Sequence, residues 1–232
     1  MVFVPLYDDN HLKFIPFQAT TWILIAINFA VFIWQQTFTP EALDLFAVHA
    51  GVIPASLFGG GGTLPMELQQ TQPELTLITY MFLHGDIWHL LGNMAFLWVF
   101  GDNVEDAMGS IRFLFFYLIC GVVAALAHTY ANLSSGAPLI GASGATAGVI
   151  SAYVMLYPRV RVWVLAFARI PLRLAAWLVI GSWIVLQIVF IATAALPETA
   201  LWAHVGGFVA GLVLIPIFKR REQPLFGAGR PG

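Results

Sequence analysis

The chain has 232 residues, of which 59% are hydrophobic and only 9% are charged. An average soluble domain has roughly 25% charged residues, so this composition excludes an ordinary water-soluble protein and predicts an integral membrane protein. The formal net charge is −2, and we expect no nucleic-acid partner. The single cysteine, Cys120, lies in an apolar run and excludes both an intrachain disulfide and a metal site built from cysteines.

Six mostly apolar runs approach or reach the length that a helix needs to cross a bilayer. They predict an all-α polytopic membrane protein in which residues 21–218 form one six-helix domain, between an N-terminal segment (1–20) and a basic tail (219–232). The first run follows "YDDNHLKF" rather than a basic stretch, so we expect it to be retained rather than cleaved as a signal peptide. The predicted spans are 21–38, 80–100, 112–130, 142–157, 172–195 and 201–218.

The segment from Thr39 to Thr79 differs from the other connections in its length and composition. It contains four prolines, the run Gly59 to Gly62 and several apolar residues, so it is neither a simple linker nor an ordinary span. We interpret it as a long structured external loop at or partly within the membrane surface.

The basic residues predict the orientation of the chain, because positive charge marks the cytoplasmic side of a membrane protein. With six spans and both termini in the cytoplasm, every lysine and arginine falls on the inner side, and the outer side receives only acidic formal charges. We therefore expect both termini to be cytoplasmic, and the membrane to be a bacterial inner (plasma) membrane. The basic residues are Lys13, Arg112, Arg159, Arg161, Arg169, Arg173, Lys219, Arg220, Arg221 and Arg230.

Four polar side chains lie within the predicted spans, where such residues are costly and usually face a bundle interior or a water-filled cavity. His89 and Asn93 are four residues apart, so they share one helix face. Ser143 lies fifteen residues before Pro158, and His204 lies fifteen residues before Lys219, the residues that directly follow their spans. Both therefore lie at the same depth, roughly 8 Å below the outer surface of a core about 30 Å thick.

The residues around Ser143 are unusually small. The stretch "GASGATAG" (Gly141 to Gly148) contains only Gly, Ala, Ser and Thr, and "AHVGGFVAG" around His204 is similarly small. Small residues let two membrane helices approach closely, which would bring Ser143 within hydrogen-bond reach of His204. A serine hydroxyl becomes an effective nucleophile when such a base accepts its proton. The packing glycines are Gly144, Gly148, Gly207 and Gly211.

Acyl transfer also needs hydrogen-bond donors aimed at the developing oxyanion. The candidates are the backbone N–H of Ser143, the turn around Gly141, the first-turn amides of the fourth span, and the side chains of Asn93 and His89. Because no carboxylate lies at that depth in any predicted span, we predict a Ser143/His204 dyad with no third member to orient the histidine.

These motifs resemble those of the rhomboid family of intramembrane serine proteases. The similarity lies in "GASG", "AHVGGFVAG" and "HGDIWHLLGN", followed by "FGDNVEDAMG", in the family's order and over nearly the whole chain. The resemblance implies Ser143 as nucleophile, His204 as general base and acid, and His89 and Asn93 as oxyanion contributors. Many members carry Trp-Arg in the first loop, where this chain has Leu75-Thr76.

The favoured function is therefore a serine protease that cleaves other membrane proteins, mostly of a single span, without a metal or other cofactor. Two alternatives stay open: a rhomboid-like pseudoenzyme that binds membrane clients, and a transporter. We expect His84 to be a structural loop residue, and His11, His49 and His128 to be at the surface or interface. We expect the acidic residues at the inner mouth to cap helices or to pair with Arg112; they are Asp102, Glu105 and Asp106.

Overall fold

The computed structural model describes residues 3–58, 70–166, 169–193 and 200–227. Over these ranges the chain is mostly helical, with one small sheet. The helices are α1 (Ala19–Gln35), α2 (Pro40–Ala50), α3 (Pro54–Leu57), α4 (Pro73–Thr79), α5 (Ile87–Met108), α6 (Ser110–Ala131), α7 (Ser143–Leu156), α8 (Ala176–Thr193) and α9 (Leu201–Phe218). The strands are β1 (Phe3–Asp8), β2 (Arg161–Ala166) and β3 (Ile170–Ala175).

Three of the described helices, α6, α8 and α9, are long and apolar enough to cross a membrane. Helices α1 and α7 are apolar but shorter. Large aliphatic side chains point outward from α8 and α9, with Ile188 53%, Val213 63% and Ile217 73% exposed. Such surfaces suit a lipid environment, because lipid tails are as apolar as these side chains. The chain is therefore an integral membrane protein.

Most helix ends lie close to the predicted span ends. Helix α9 has the predicted bounds, and α1, α6 and α7 begin and end within three residues of them. Helix α5 differs, because it begins at Ile87 rather than Tyr80. The Asp86 side chain accepts hydrogen bonds from the N–H groups of Trp88 and His89, which caps the helix there. The predicted end of the fifth span at Ala195 lies outside the described residues.

The prediction of an all-α fold is wrong, because three strands form an antiparallel sheet in the order β1, β2, β3. Along β2, the side chains of Val162, Val164 and Ala166 are buried and alternate with more exposed ones. This period of two is typical of a half-buried strand. Because β2 lies between two long apolar runs, it resembles a simple connection between membrane spans in the sequence. Residues 172–175, predicted to open the fifth span, belong to β3 instead.

Two carboxylates in the last turns of α5 hold the N-terminal part of the chain. Glu105 accepts hydrogen bonds from the backbone N–H groups of Thr20 and Thr21 at 3.0 and 2.8 Å, and so caps the first turn of α1. Asp106 accepts three more, from the N–H groups of residues 13–15. The prediction of helix capping is confirmed for Glu105, whereas Asp106 binds a segment that precedes α1. In the described part of the chain, neither carboxylate forms an ion pair with Arg112.

The Asp8 carboxyl, at the end of β1, gives this region a pH-dependent stability. Burial raises its pKa from 3.8 to about 6, although it accepts a hydrogen bond from Tyr153. The folded protein therefore holds this proton more tightly than the unfolded chain does, and the carboxyl stabilises the fold less as pH rises from 3.8 to about 6.

We expect Asp8→Asn to remove this part of the pH dependence. The melting temperature of the detergent-solubilised variant, minus that of the wild type, should increase as pH rises through the window and then level off above about 6. The variant Asp44→Asn makes the same change of charge at an exposed position of α2 and separates net charge from burial. A constant difference between the melting temperatures of Asp8→Asn and the wild type, from pH 3.8 to about 6, would contradict the raised pKa of Asp8.

The segment from Thr39 to Thr79 is structured where it is described. Its three short helices, α2, α3 and α4, each begin at a proline, a residue that suits the first position of a helix. The Thr79 hydroxyl donates a 2.6 Å hydrogen bond to the Ala50 carbonyl, which ties α4 to the end of α2. Residues 59–69 of the predicted loop, including Gly59 to Gly62, lie outside the described residues.

Candidate active site

Helices α7 and α9 pack backbone against backbone at four glycines. A β-carbon at Gly207 would lie 2.8 Å from the carbonyl carbon of Gly144, and one at Gly211 would lie 2.8 Å from that of Gly148. Gly144 and Gly148 also face α6, where a β-carbon would come within 2.6 Å of a side chain. Larger residues could not occupy these positions without moving the helices apart.

This close contact brings Ser143 and His204 together. The Oγ of Ser143 lies 2.8 Å from the Nε2 of His204, which is hydrogen-bond distance. Ser143 is the first residue of α7, and His204 lies in the first turn of α9. Because Ser143 begins its helix, its own backbone N–H has no carbonyl partner within α7 and is available to another group.

A third side chain, Gln187 of α8, contacts the other nitrogen of His204. The Oε1 of Gln187 lies 2.9 Å from Nδ1, and the ring of Trp183 lies beside the imidazole, with 5.6 Å between ring centroids. The prediction that nothing orients the histidine is therefore wrong. The sequence signal for this third member is a lone amide, Gln187, within an otherwise apolar span.

Gly141, His89 and Asn93 meet next to Ser143. Gly141 has a φ of +115°, a conformation that favours glycine. A β-carbon there would lie 2.7 Å from the Nε2 of His89 and 3.7 Å from the Nδ2 of Asn93. Both side chains thus approach the backbone two residues before Ser143.

The side chain of His84 contacts that of Asn93 and helps to hold it in place. The Nδ2 of Asn93 lies 3.0 Å from the Nε2 of His84, so one N–H of the amide donates to that ring. Gln35 holds the backbone of His84 through two hydrogen bonds of 3.3 Å. An asparagine amide has two N–H groups, which leaves the second one of Asn93 for the site. His84 therefore has the structural role that the sequence predicted, although it is buried rather than in an open loop.

A cavity of about 430 Å³ opens above Ser143 and His204. The segment between α6 and α7 forms one wall, and backbone hydrogen bonds from Val52 to Leu139 and from Ala55 to Ser135 hold that segment against the first loop. His128, predicted to be at the surface or interface, is partly buried and lines this cavity. The lining residues are His89, His128, Asn132, Ser135, Ala137, Pro138, Leu139, Ile140, Ser143, Ala200 and His204.

Five other titratable residues that the sequence singled out do not line this cavity. His11 and His49 are exposed, as predicted. Asp102, Glu105 and Asp106 are near the opposite end of α5 from His89. Among the residues that the structure describes, no group of three or more His, Cys, Asp and Glu side chains is arranged to hold a metal ion.

Comparison with known proteins finds rhomboid proteins among those similar to this chain. Rhomboid protein 1, mitochondrial, from Saccharomyces cerevisiae is 27% identical over 175 residues, which cover 68% of this chain and 47% of that protein. RHOMBOID-like protein 1 from Arabidopsis thaliana is 31% identical over 147 residues, covering 63% and 35%. Presenilin-associated rhomboid-like protein, mitochondrial, from Homo sapiens is 30% identical over 82 residues, covering 34% and 22%.

The chain spans about half, or less, of the length of these curated relatives. Two of their names contain the word mitochondrial, so the comparisons do not support the expected bacterial inner membrane, and the side on which the termini lie stays a prediction. Residues 72–221, which include Asn93, Ser143 and His204, match the family model described as the Rhomboid domain. The chain therefore belongs to the rhomboid family.

Proposed function

We propose that this protein is an intramembrane serine protease that hydrolyses peptide bonds within or near the transmembrane segments of other membrane proteins. The observation that carries the proposal is the 2.8 Å contact between Ser143 Oγ and His204 Nε2, beside a cavity of about 430 Å³. A serine and a histidine within hydrogen-bond reach, in a cleft that can hold a substrate, are the minimal pair for nucleophilic acyl transfer.

In the proposed reaction, His204 Nε2 takes the proton of the Ser143 hydroxyl as Oγ attacks the scissile carbonyl carbon. The tetrahedral intermediate collapses when the imidazolium returns this proton to the leaving amine, which releases one product and leaves an ester on Ser143. A water then attacks the ester carbonyl, and His204 accepts its proton and passes it back to the serine oxygen. The second product leaves as a carboxylic acid, and both side chains regain their starting state.

The oxyanion of the tetrahedral intermediate needs donors placed before the reaction begins. We assign this role to the Ser143 backbone N–H, to the side chains of Asn93 and His89, and to the turn at Gly141. The support is the proximity of both side chains to Gly141 and the free second N–H of the Asn93 amide.

Asn93→Ala is expected to lower kcat by about 100-fold, with a much smaller effect on KM, because an oxyanion donor acts mainly in the transition state. The matched control is Asn28→Ala, which removes a buried asparagine of α1 whose Nδ2 donates to its own helix at the Leu24 carbonyl. Steady-state cleavage of a reconstituted substrate measures both constants. A change confined to KM would assign Asn93 a role in binding or structure only.

We propose six spans for the membrane domain, with the first loop outside and both termini on the cytoplasmic side. The six spans are α1, α5 and α7 together with α6, α8 and α9, which are long and apolar enough by themselves to cross a membrane. The short α7, of 14 residues, would then begin below the outer surface, where Ser143 opens onto the cavity. Single-span membrane proteins are the proposed substrates, and the substrate helix must unwind locally to expose a carbonyl to Ser143.

A client-binding pseudoenzyme is the main alternative, since a fold alone does not establish an activity. Labelling with a serine-directed fluorophosphonate separates the two functions. In a protease, the reagent should modify Ser143 of the purified protein, as mapped by mass spectrometry, and the label should be absent from His204→Ala. Failure of wild-type protein to react, under conditions in which a known serine protease reacts fully, would favour the pseudoenzyme. A transporter instead predicts solute flux in liposomes that survives Ser143→Ala.

A further inference from the structure

The contact between Gln187 and His204 adds a third side chain to the site. The sequence predicts only Ser143 and His204 there, because no carboxylate lies at that depth in the spans. Gln187 lies on α8, one turn after Trp183, and both side chains therefore face the same direction. The amide contacts Nδ1 of the imidazole, and the serine contacts Nε2, so the two nitrogens have different partners. Three helices, α7, α8 and α9, thus each supply one side chain to this chain of hydrogen bonds.

The chemistry of the amide oxygen decides which ring nitrogen has the proton. Oε1 of Gln187 can only accept a hydrogen bond, so Nδ1 of His204 must be the donor. In a neutral imidazole the other nitrogen, Nε2, then has the free lone pair, and it faces the Ser143 hydroxyl at 2.8 Å. This is the protonation state that a general base requires.

The burial of Gln187 also indicates a specific role. Of the four buried residues of α8, which are Ala176, Val179, Ile180 and Gln187, only the last is polar. A buried polar group in a membrane helix is costly unless a partner satisfies it. A neutral amide forms its hydrogen bond with His204 without adding a charge to the apolar environment, whereas a buried carboxylate would add one.

We infer that Gln187 is a positioning residue that holds His204 in the Nδ1-protonated state, with Nε2 aimed at Ser143. It acts through the histidine and does not itself contact the reacting atoms. This inference rests on the proposed protease function, and it makes the hydrolytic machinery a chain of three side chains, Ser143, His204 and Gln187, with a neutral terminal member.

The test compares three variants in liposomes with a reconstituted single-span substrate. Gln187→Leu removes the acceptor, Gln187→Glu keeps an oxygen acceptor at the same reach, and Ser182→Ala is the control. Ser182 lies on the same helix, and its hydroxyl donates to the Val179 carbonyl instead of contacting His204. We expect Gln187→Leu to lower kcat about tenfold with little change in KM, because one buried neutral hydrogen bond corresponds to about one order of magnitude. Gln187→Glu should retain most of the activity.

The pH profile provides a readout that a merely structural role would not change. The Gln187 oxygen also stabilises the imidazolium, so its loss should move the acidic limb of the kcat profile to lower pH. Among the described residues, the other titratable groups that influence His204 are His89 of α5 and His128 of α6, and both are unchanged in these variants. Equal kcat and an equal acidic limb in Gln187→Leu and Ser182→Ala would overturn the inference.

Nitrogen NMR of the wild-type protein tests the protonation state without any need for activity. At neutral pH the His204 signals, identified by their loss in His204→Ala, should show the proton on Nδ1. A proton on Nε2 would overturn the inference even if the leucine variant fails to fold, in which case Gln187→Met repeats the kinetic test. A wild-type protein that cleaves no substrate would count against the proposed function, whereas the NMR result would still decide the role of Gln187.

Discussion

Ser143→Ala and His204→Ala are each expected to abolish cleavage of a transmembrane substrate, with a loss in kcat of roughly 10⁴- to 10⁶-fold. Each change removes a reacting group, the attacking oxygen or the base 2.8 Å from it, and adds no bulk to the helix contact. The purified variants should therefore keep the wild-type elution profile and a melting temperature close to that of the wild type. Cleavage is measured by the appearance of product fragments on gels over time.

The control for Ser143→Ala is Ser151→Ala, which removes another hydroxyl from α7. Ser151 is buried and donates to the Gly148 carbonyl at 2.8 Å, two turns away from the cavity. We expect this variant to keep its activity. Because Ser143 and His204 act as one unit, the double alanine variant should be no slower than either single variant. Appreciable turnover by Ser143→Ala would contradict the assignment of the nucleophile.

Gly207→Ala is expected to inactivate the protein by separating Ser143 from His204, although both reacting side chains remain present. The added β-carbon would lie 2.8 Å from the carbonyl carbon of Gly144, and this backbone cannot yield as a flexible side chain can. Helix α9 must therefore move away from α7, which lengthens the contact between Ser143 and His204. A displacement of about 1 Å lowers the rate of such a reaction roughly 100-fold. Gly207→Leu should have a larger effect in the same direction.

The matched control is Gly181→Ala on α8, where an added β-carbon meets nothing within 4 Å. This variant should retain wild-type activity and gain some helix propensity. Both variants can be compared by cleavage rate and by the rate of fluorophosphonate labelling at Ser143. Wild-type rates in a folded Gly207→Ala protein would show that α7 and α9 are not held as closely as described.

The residues of the site were largely predictable because membrane helices impose strong sequence constraints. Apolar runs give the helix positions, and α9 has the predicted bounds at both ends. Equal depth in two spans that run in the same direction, together with glycines on facing helices, was enough to place Ser143 beside His204. Gly141 was expected to lie in a turn beside the site, and it has a positive φ and lies too close to His89 for a larger residue.

The sheet could not be predicted in the same way, because its partners are far apart in the chain. Strand β1 pairs with β2 in a register that joins Phe3 to Ala166, more than 160 residues away. Six-residue strands between apolar spans give a weak pattern, and short apolar runs do not distinguish a strand from the end of a helix. Tertiary pairing, rather than local preference, decides such segments.

Gln187 escaped prediction for a different reason. The prediction of a dyad considered only carboxylates as possible third members. A neutral amide oxygen can also accept a hydrogen bond from the Nδ1–H of a histidine. The start of α5 was misplaced because hydropathy takes no account of capping, and Asp86 fixes that end through two backbone N–H groups. Both errors concern polar contacts made by single residues, which composition and hydropathy do not register.

The most direct test of the account is a cleavage assay in liposomes with a panel of single-span membrane proteins. Wild-type protein and Ser143→Ala are reconstituted side by side, and product ends are mapped by mass spectrometry. The account predicts that the wild type cuts at least one substrate within or next to its transmembrane segment, near the outer end, and that Ser143→Ala cuts none. Equal cleavage by both proteins, or no cleavage by a folded wild type across the panel, would contradict it.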